Sequence, residues 1–107
     1  MVTANEIIEK VADLYGITVD DITSRKRYRL LCEARAVACY VLCSLNNSTF
    51  IEVGRLLNRR HGTVMHHNHR AGDWVRNPRL NPRGAMAIRE IEEEYINEFN
   101  TDRRVRN

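Results

Sequence analysis

The sequence predicts an all-α fold, and three observations support this prediction. Apolar residues recur at intervals of three and four, no segment alternates with period two over a useful length, and capping-box pairs mark helix starts. With 107 residues and 43% hydrophobic content, the chain is long enough for one domain with a modest core. We therefore expect a single compact multi-helix domain over residues 1–100, followed by a flexible tail at 101–107.

The first expected elements are a helix and a short helical turn. Thr3 precedes Glu6 by three residues, which is the capping-box spacing, and the apolar residues that follow share one helical face. These patterns predict a helix from about Ala4 to Tyr15. Asp20 is then expected to cap a short turn.

A basic segment, SRKRYR, interrupts the apolar pattern with four cations in six residues. We predict a basic loop from Ser24 to Arg29. Taken alone, such a loop is also typical of a solvated surface without a binding role. In proteins that bind nucleic acid, cations on such a loop contact the phosphate backbone or reach into a minor groove.

The segment from Leu30 to Leu45 carries a wide apolar stripe and predicts the helix at the centre of the core. The three cysteines of the chain, Cys32, Cys39 and Cys43, fall seven and four residues apart, which is the spacing of one helical face. Their odd number and the lack of a paired CxxC motif favour buried, reduced thiols over a disulfide or a zinc site.

Two short helices joined by a tight turn are predicted next. Thr49 and Glu52 repeat the capping-box spacing before a helix from about Phe50 to Leu57, and Asn58 to Arg60 form a brief turn. A second helix is predicted from His61 to about Arg76. Its apolar residues lie on one side: Val64, Ala71, Trp74 and Val75. This arrangement is typical of a helix-turn-helix, whose second helix enters the major groove of DNA.

Gly54 and Trp74 add to the helix-turn-helix prediction. A glycine at position 54 removes the side chain that would otherwise separate the two helix axes. Trp74 has the spacing of the core residues, which favours a core position over a base-stacking platform.

Both prolines of the chain lie between Asn77 and Pro82, which predicts a loop there. Beyond it, the apolar spacing predicts a last amphipathic helix with an acidic outer face, whose apolar residues are Ile88, Ile91, Tyr95 and Phe99.

The charge balance favours a polyanionic partner. Lysine and arginine number 17 against 14 aspartate and glutamate residues, and the isoelectric point is about 9.0. The excess is concentrated between Val19 and Arg76, which contains ten basic and five acidic residues. No signal peptide or membrane span is apparent, so we expect a cytoplasmic protein with no membrane partner.

The segment RRHGTVMHHNHR, Arg59 to Arg70, contains all four histidines and admits several interpretations. On a helical wheel, Gly62, His66 and His69 project outward, whereas His61 lies nearer the core. Two histidines on one face are too few for a zinc site, and no carboxylate is placed to orient a catalytic histidine. An anion at the helix N-terminus is favoured, and a solvated face without function is the alternative.

Nothing in the sequence predicts an enzyme. It contains no glycine-rich phosphate loop with its lysine, and the cysteines lie in an apolar stripe that disfavours a thiolate. We therefore expect no cofactor and no small-molecule substrate.

Four segments occur in an order that resembles a known family. The chain between about Ile7 and Val75 resembles the C-terminal DNA-binding domain (domain IV) of the bacterial chromosomal replication initiator DnaA. The segments that carry the resemblance are VDDITSRKR, ARAVACYVLCSL, STFIEVGRLL and RRHGTVMHH. The resemblance implies sequence-specific binding of double-stranded DNA by a Trp-repressor-like, all-α domain. Because the initiator's ATPase module has no counterpart here, we expect a free-standing binding module.

The resemblance also implies which side chains face DNA. Arg27 matches a loop arginine that reads the minor groove, and Arg35 matches an arginine on the long helix that meets phosphate. His61 and Thr63 match residues that face base edges in the major groove, against the wheel's placement of His61. The expected DNA-binding residues are Arg25, Lys26, Arg27, Arg35, Thr49, Arg59, Arg60, His61, Gly62, Thr63 and His66.

Three positions depart from the family's pattern. Arg60 stands where an aspartate is expected, and arginine prefers guanine acceptors whereas aspartate accepts from cytosine, so the target sequence should differ. Gly62 replaces a base-contacting threonine and is expected to lose a contact. Cys43 replaces a lysine that contacts phosphate, so affinity for the DNA backbone should be lower.

These observations predict a monomeric regulator of replication or transcription, of host, phage or mobile-element origin. A second hypothesis is that the fold serves as a protein-interaction module that docks on the replication machinery without binding DNA. The two hypotheses differ in salt dependence, because contacts to phosphates weaken steeply as the salt concentration rises.

Overall fold

Six α-helices form the computed structural model, which describes the backbone of residues 2–106 and the side chains of residues 2–96. The helices are α1 (Ala4–Tyr15), α2 (Val19–Thr23), α3 (Arg29–Asn46), α4 (Phe50–Leu57), α5 (His61–Arg76) and α6 (Pro82–Arg106). A 3₁₀ turn, Pro78–Leu80, precedes α6. Every regular element of the described backbone is helical, which confirms the predicted all-α class.

Threonine caps begin the first two helices. Thr3 Oγ1 accepts a hydrogen bond from the Glu6 amide at 3.1 Å, as the capping-box spacing predicts. At α2 the cap is Thr18, so the prediction of Asp20 as the cap was wrong. Thr18 Oγ1 accepts from the Asp21 amide at 3.0 Å, and Asp21 Oδ2 accepts from the Thr18 amide at 3.1 Å. Asp20 instead lies inside the first turn, two residues after the true cap.

The long helix α3 lies at the centre of the core, as predicted, and extends one residue beyond the expected Leu30 to Leu45 at each end. Helices α1, α5 and α6 pack around it. Trp74 of α5 is 6% exposed, which confirms the predicted core position of its indole ring.

The cysteines of α3 are all free thiols, but the prediction that they are buried holds only for Cys39. Cys32 and Cys43 are half-buried. Burial raises the pKa of the Cys39 thiol to about 12, which disfavours thiolate chemistry at this position.

The segment after α5 departs from the prediction in two details. The expected loop, Asn77 to Pro82, contains the 3₁₀ turn, and Pro82 is the first residue of α6, where its missing amide removes no helical hydrogen bond. Val75 is 39% exposed, because one position along a helix turns a side chain about 100° away from Trp74. The expected tail at 101–107 lies outside the residues whose side chains are described, and its flexibility stays a prediction.

Candidate nucleic-acid interface

Helices α4 and α5 meet at a turn of three residues, Asn58 to Arg60. Asn58 adopts the left-handed region at φ 57°, and the Arg59 amide donates to the Gly54 carbonyl at 2.8 Å, which ends α4. A Cβ atom on Gly54 would lie 2.5 Å from the Arg59 carbonyl oxygen. The expected steric need for glycine at position 54 is confirmed, and the neighbour that requires it is the backbone of the turn.

The first turn of α5 presents an exposed polar edge. His61, Gly62 and Thr63 are exposed, and His66 is exposed one turn later. The N-cap residue, Arg60, makes no side-chain cap hydrogen bond, so the first amides of α5 have no side-chain partner from their cap and point toward solvent or an anion. We name these five residues, Arg60, His61, Gly62, Thr63 and His66, the reading edge.

The exposure of His61 shows that the helical wheel was wrong about this residue. Core contacts of α5 begin only at Val64, because His61 is the first residue of the helix and lies at its open end. Helical periodicity therefore does not determine its environment.

His67 does not belong to the exposed polar face with His66 and His69. It is 7% exposed, and burial, followed by the charge of Arg70, lowers its pKa to about 4. The imidazole is therefore neutral at pH 7, and its Nδ1 atom has no hydrogen-bond partner among the described residues. A signal for this burial existed in the sequence, since position 67 is three residues after Val64 and shares its face.

The basic loop occupies Ser24 to Tyr28, one residue less than predicted, because α3 begins at Arg29. Its cations Arg25, Lys26 and Arg27 are exposed. Lys26 Nζ lies 3.5 Å from Asp21 Oδ1. Neither arginine of the loop forms an ion pair within the described part of the chain. The loop therefore offers unneutralised positive charge to solvent.

The basic loop and the reading edge belong to one continuous surface. One groove between them is lined by Arg25, Arg27, Arg60 and Thr63, together with residues below them. A neighbouring groove is lined by Arg25, Arg60 and His61. Arg25 and Arg60 thus border both grooves, although they are far apart in the sequence.

Arg35, one of the expected DNA contacts, points into the protein. It is 1% exposed, and its Nε atom donates to the Ile22 carbonyl at 2.7 Å. Its Nη2 atom donates to the carbonyls of Asp21 at 3.1 Å and Ser24 at 2.9 Å. Three of its five N–H donors are therefore used inside the fold, and the expected phosphate contact of Arg35 stays a prediction.

Arg59, another expected DNA contact, is half-buried and also bonds internally. Its Nη2 atom donates to the Ser24 carbonyl, and its Nη1 atom donates to the carbonyls of Asn58 at 2.9 Å and Leu57 at 3.3 Å. Only a part of this side chain is left to face a ligand.

Thr49 is exposed at the start of α4, and it acts as the N-cap of that helix. Its hydroxyl accepts from the Glu52 amide at 3.1 Å, and its own amide donates to Glu52 Oε1 at 3.2 Å. The hydroxyl hydrogen can still be donated, so its contact with DNA stays a prediction.

The exposed residues on this surface that the sequence did not mark as DNA contacts include Ile51, Arg55 and Asn58. Ile51 is 57% exposed and lines a groove with Arg60 and His61. Tyr28 is 68% exposed at the end of the basic loop. For Ile51 the available signal was its position off the apolar stripe of α4, which leaves a large apolar side chain in solvent.

The described residues contain no group of three or more histidine, cysteine, aspartate or glutamate side chains placed to hold a metal ion. Within the same part of the chain, no helix is both long and apolar enough to cross a membrane.

Comparisons with known proteins match α1 to α4 and the first ten residues of α5. The family described as the bacterial dnaA protein helix-turn-helix matches residues 4–70. Similar proteins include chromosomal replication initiator proteins DnaA from several bacteria. The protein of Aquifex aeolicus is 39% identical over 62 residues, which are 57% of this chain and 16% of the relative.

The match extends to other bacterial groups. The Ruegeria pomeroyi protein is 41% identical over 66 residues, 61% of this chain and 14% of its own length. The Chloroflexus aurantiacus protein is 32% identical over 90 residues, 83% of this chain and 19% of its own length. The chain therefore corresponds to less than a fifth of each of these relatives.

Proposed function

The chain belongs to the family of bacterial DnaA helix-turn-helix domains, and from this premise we propose that it binds double-stranded DNA with a preference for particular sequences. Membership of this family supports DNA binding. The observation that carries the finer proposal is the continuity of the basic loop with the reading edge, since Arg25 and Arg60 border the same grooves.

The reading edge has the chemistry that base recognition needs. Arginine donates two hydrogen bonds to the O6 and N7 acceptors of guanine, which makes Arg60 the candidate for direct recognition. His61 and Thr63 are exposed beside it and offer further donors and acceptors. Gly62 has nothing within 4 Å of the position a Cβ would take, so the helix backbone can come close to DNA there.

The basic loop has the chemistry that backbone binding needs. Arg25, Lys26 and Arg27 are exposed cations on one short segment, and cations of this kind contact phosphates or enter a minor groove. Such contacts fix the position of the protein on the duplex without selecting a sequence. The loop is therefore assigned to affinity and the reading edge to specificity.

We infer that the biological role is regulation of replication or transcription, carried out by a cytoplasmic, monomeric and non-enzymatic module. The domain proposed for this role is residues 1–100. The relatives in the comparison are replication initiators, but the reading edge differs from the pattern of that family at Arg60 and Gly62. These differences support a target sequence of its own, whether the chain serves a host, a phage or a mobile element.

Selection of bound sequences from a random duplex pool tests the proposal. The wild-type protein should enrich a defined sequence with guanine at the position that Arg60 reaches. Arg60→Ala should lose discrimination at that base pair by roughly 1–3 kcal/mol, while Arg25→Ala should enrich the same sequence with weaker binding throughout.

Matched arginine variants make the result decisive. If Arg60→Ala and Arg25→Ala weaken binding to all duplexes alike, Arg60 does not read a base. If the wild-type protein enriches nothing, sequence-specific binding is wrong. If it also fails to bind duplex at low salt, the protein-interaction hypothesis takes its place.

A further inference from the structure

The carbonyl of Ser24 is a meeting point of three parts of the fold. It stands at the end of α2, where the basic loop begins. Arg35 of α3 donates to it through Nη2 at 2.9 Å, and Arg59 of the helix-turn-helix turn donates to it through its own Nη2. One acceptor therefore joins the base of the basic loop to the long helix and to the turn.

Both arginines also donate to other backbone carbonyls. Arg35 also bonds the carbonyls of Asp21 and Ile22, and Arg59 also bonds those of Leu57 and Asn58. Neither forms an ion pair within the part of the chain that the structure describes. The planar guanidinium group suits this use, because its donors have fixed directions and can bridge several acceptors at once.

Placing two cations on one carbonyl is electrostatically unfavourable. Burial, followed by the charge of Arg59, lowers the pKa of Arg35. A pair that is held together in spite of this repulsion must be positioned by the carbonyls that surround it. Because both arginines bond the same carbonyl, they hold the basic loop at a fixed distance from the turn.

We propose that Arg35 and Arg59 form a clasp on the Ser24 carbonyl that positions the basic loop against the reading edge, so that both are positioning residues for DNA binding and neither is a phosphate contact. The inference rests on the proposed function for its consequence in DNA binding. The clasp itself is a property of the free protein and can be tested without DNA.

Without the clasp, the loop would be mobile in the free protein and would lose conformational freedom on binding DNA, which lowers the affinity. Fixing the backbone of each loop residue opposes association, and a loop that is already ordered avoids that loss. Beyond Ser24, other contacts within the described part of the chain also anchor the loop. These include the ion pair of Lys26 with Asp21, the bond from the Lys26 amide to Ser24 Oγ at 3.3 Å, and the weak bond from Cys32 Sγ to the Arg27 carbonyl at 3.9 Å. Loss of the clasp should therefore weaken DNA binding through Arg25 and Arg27.

Limited trypsin digestion of the free protein tests the clasp directly. Trypsin cuts after the loop cations only when the loop leaves its ordered position. Arg59→Ala should raise the rate of cleavage in the loop about fivefold, the change expected for loss of its one hydrogen bond to the Ser24 carbonyl. Arg55→Ala removes an exposed arginine from the neighbouring α4 surface and should leave the loop rate within about twofold of wild type.

An internal control separates a loop effect from general unfolding. Cleavage after Lys10, in α1, reports opening of the whole domain, and its rate should rise by a smaller factor in Arg59→Ala than the loop rate does. Equal loop cleavage in Arg59→Ala and Arg55→Ala would overturn the clasp. A parallel rise at Lys10 would overturn it too, since Arg59 would then support the fold as a whole.

A double-mutant cycle tests the consequence for DNA. The loop-neutral variant combines Arg25→Ala, Lys26→Ala and Arg27→Ala, and it removes the groups that the clasp is proposed to position. Arg59→Ala should weaken duplex binding about fivefold or more in the wild-type background and less than about twofold in the loop-neutral background. Arg55→Ala should have the same effect in both backgrounds.

Additive effects of Arg59→Ala in the two backgrounds, with a salt slope lower by about 0.9 in each, would show a direct phosphate contact and overturn the positioning role. If the wild-type protein bound no duplex at all, the proposed function would fail instead. The trypsin result would then still decide whether the clasp holds the loop.

Discussion

The arginines of this protein fall into two groups: some face solvent, and others face inward and bond the fold itself. Arg25, Arg27 and Arg60 are exposed and have no ion pair within the described residues, so their charge is available to a ligand. Arg35 and Arg59 border one of the same grooves, but they bond backbone carbonyls of the fold. A count of cations in the sequence therefore overstates the number of contacts with DNA.

The histidines of α5 divide in the same way. His61, His66 and His69 are exposed, whereas His67 is buried and neutral at pH 7. Among the exposed members, Arg25, Arg60 and His61 line the grooves of the surface proposed to bind DNA. The inward members hold that surface in place or lie beneath it. Substitutions in the exposed group should therefore change DNA binding, whereas substitutions in the inward group should change stability.

The largest expected effect is on stability, at Arg35. Arg35→Ala removes three hydrogen bonds from a buried charged donor and leaves a cavity, so the free energy of unfolding should fall by roughly 3–5 kcal/mol. Urea denaturation followed by circular dichroism measures it. Arg25→Ala, at an exposed arginine, should change the same quantity by less than about 0.5 kcal/mol.

The stabilities of these two variants can contradict the division of the arginines into exposed and inward-facing groups. If Arg35→Ala is as stable as Arg25→Ala, the inward hydrogen bonds contribute little and Arg35 is free to meet phosphate. If Arg35→Ala does not fold, Arg35→Met, which keeps the volume of the aliphatic stem, should restore part of the stability.

A smaller effect is expected in the pH dependence of stability, at His67. Its pKa is about 4 in the folded protein against the ordinary value of 6.5, so the unfolded state binds more protons between these values. The stability that neutral His67 provides is complete above about pH 6.5 and is lost as the pH falls toward 4. The loss should be roughly 3 kcal/mol by pH 4.

The measurement is the free energy of unfolding between pH 7 and pH 4 for wild type, His67→Gln and His66→Gln. His67→Gln should show a shallower decrease than wild type, because the titrating group is gone. His66→Gln replaces an exposed neighbour and should follow the wild-type curve. Identical curves for wild type and His67→Gln would mean that His67 is accessible to protons in the folded state.

The helices could be predicted from the sequence because their signals are local. Capping boxes at Thr3 and Thr49, together with apolar spacing, gave α1, α4 and α5 the bounds that the structure has. The cap of α2 was misplaced because an aspartate and a threonine are both good caps and lie two residues apart. The helix-turn-helix followed from the turn and from Gly54.

The division of the arginines could not be predicted, because it depends on contacts between distant segments. Arg35 and Arg59 are far from Ser24 in the sequence, and no periodicity indicates which guanidinium reaches its carbonyl. The resemblance to the family placed Arg35 against phosphate, whereas the structure places it beneath the loop. His67 differs, since its position relative to Val64 contained the signal.

The claim that the basic loop and the reading edge bind DNA is best tested by measuring the affinity of the wild-type protein for duplex DNA as a function of salt concentration. With the loop cations and Arg60 facing DNA, binding at about 50 mM salt should be readily detected, and log K should fall with log salt with a slope of about −3 or steeper. No binding to duplex at about 50 mM salt, or a slope near zero, would contradict the claim that this surface binds DNA.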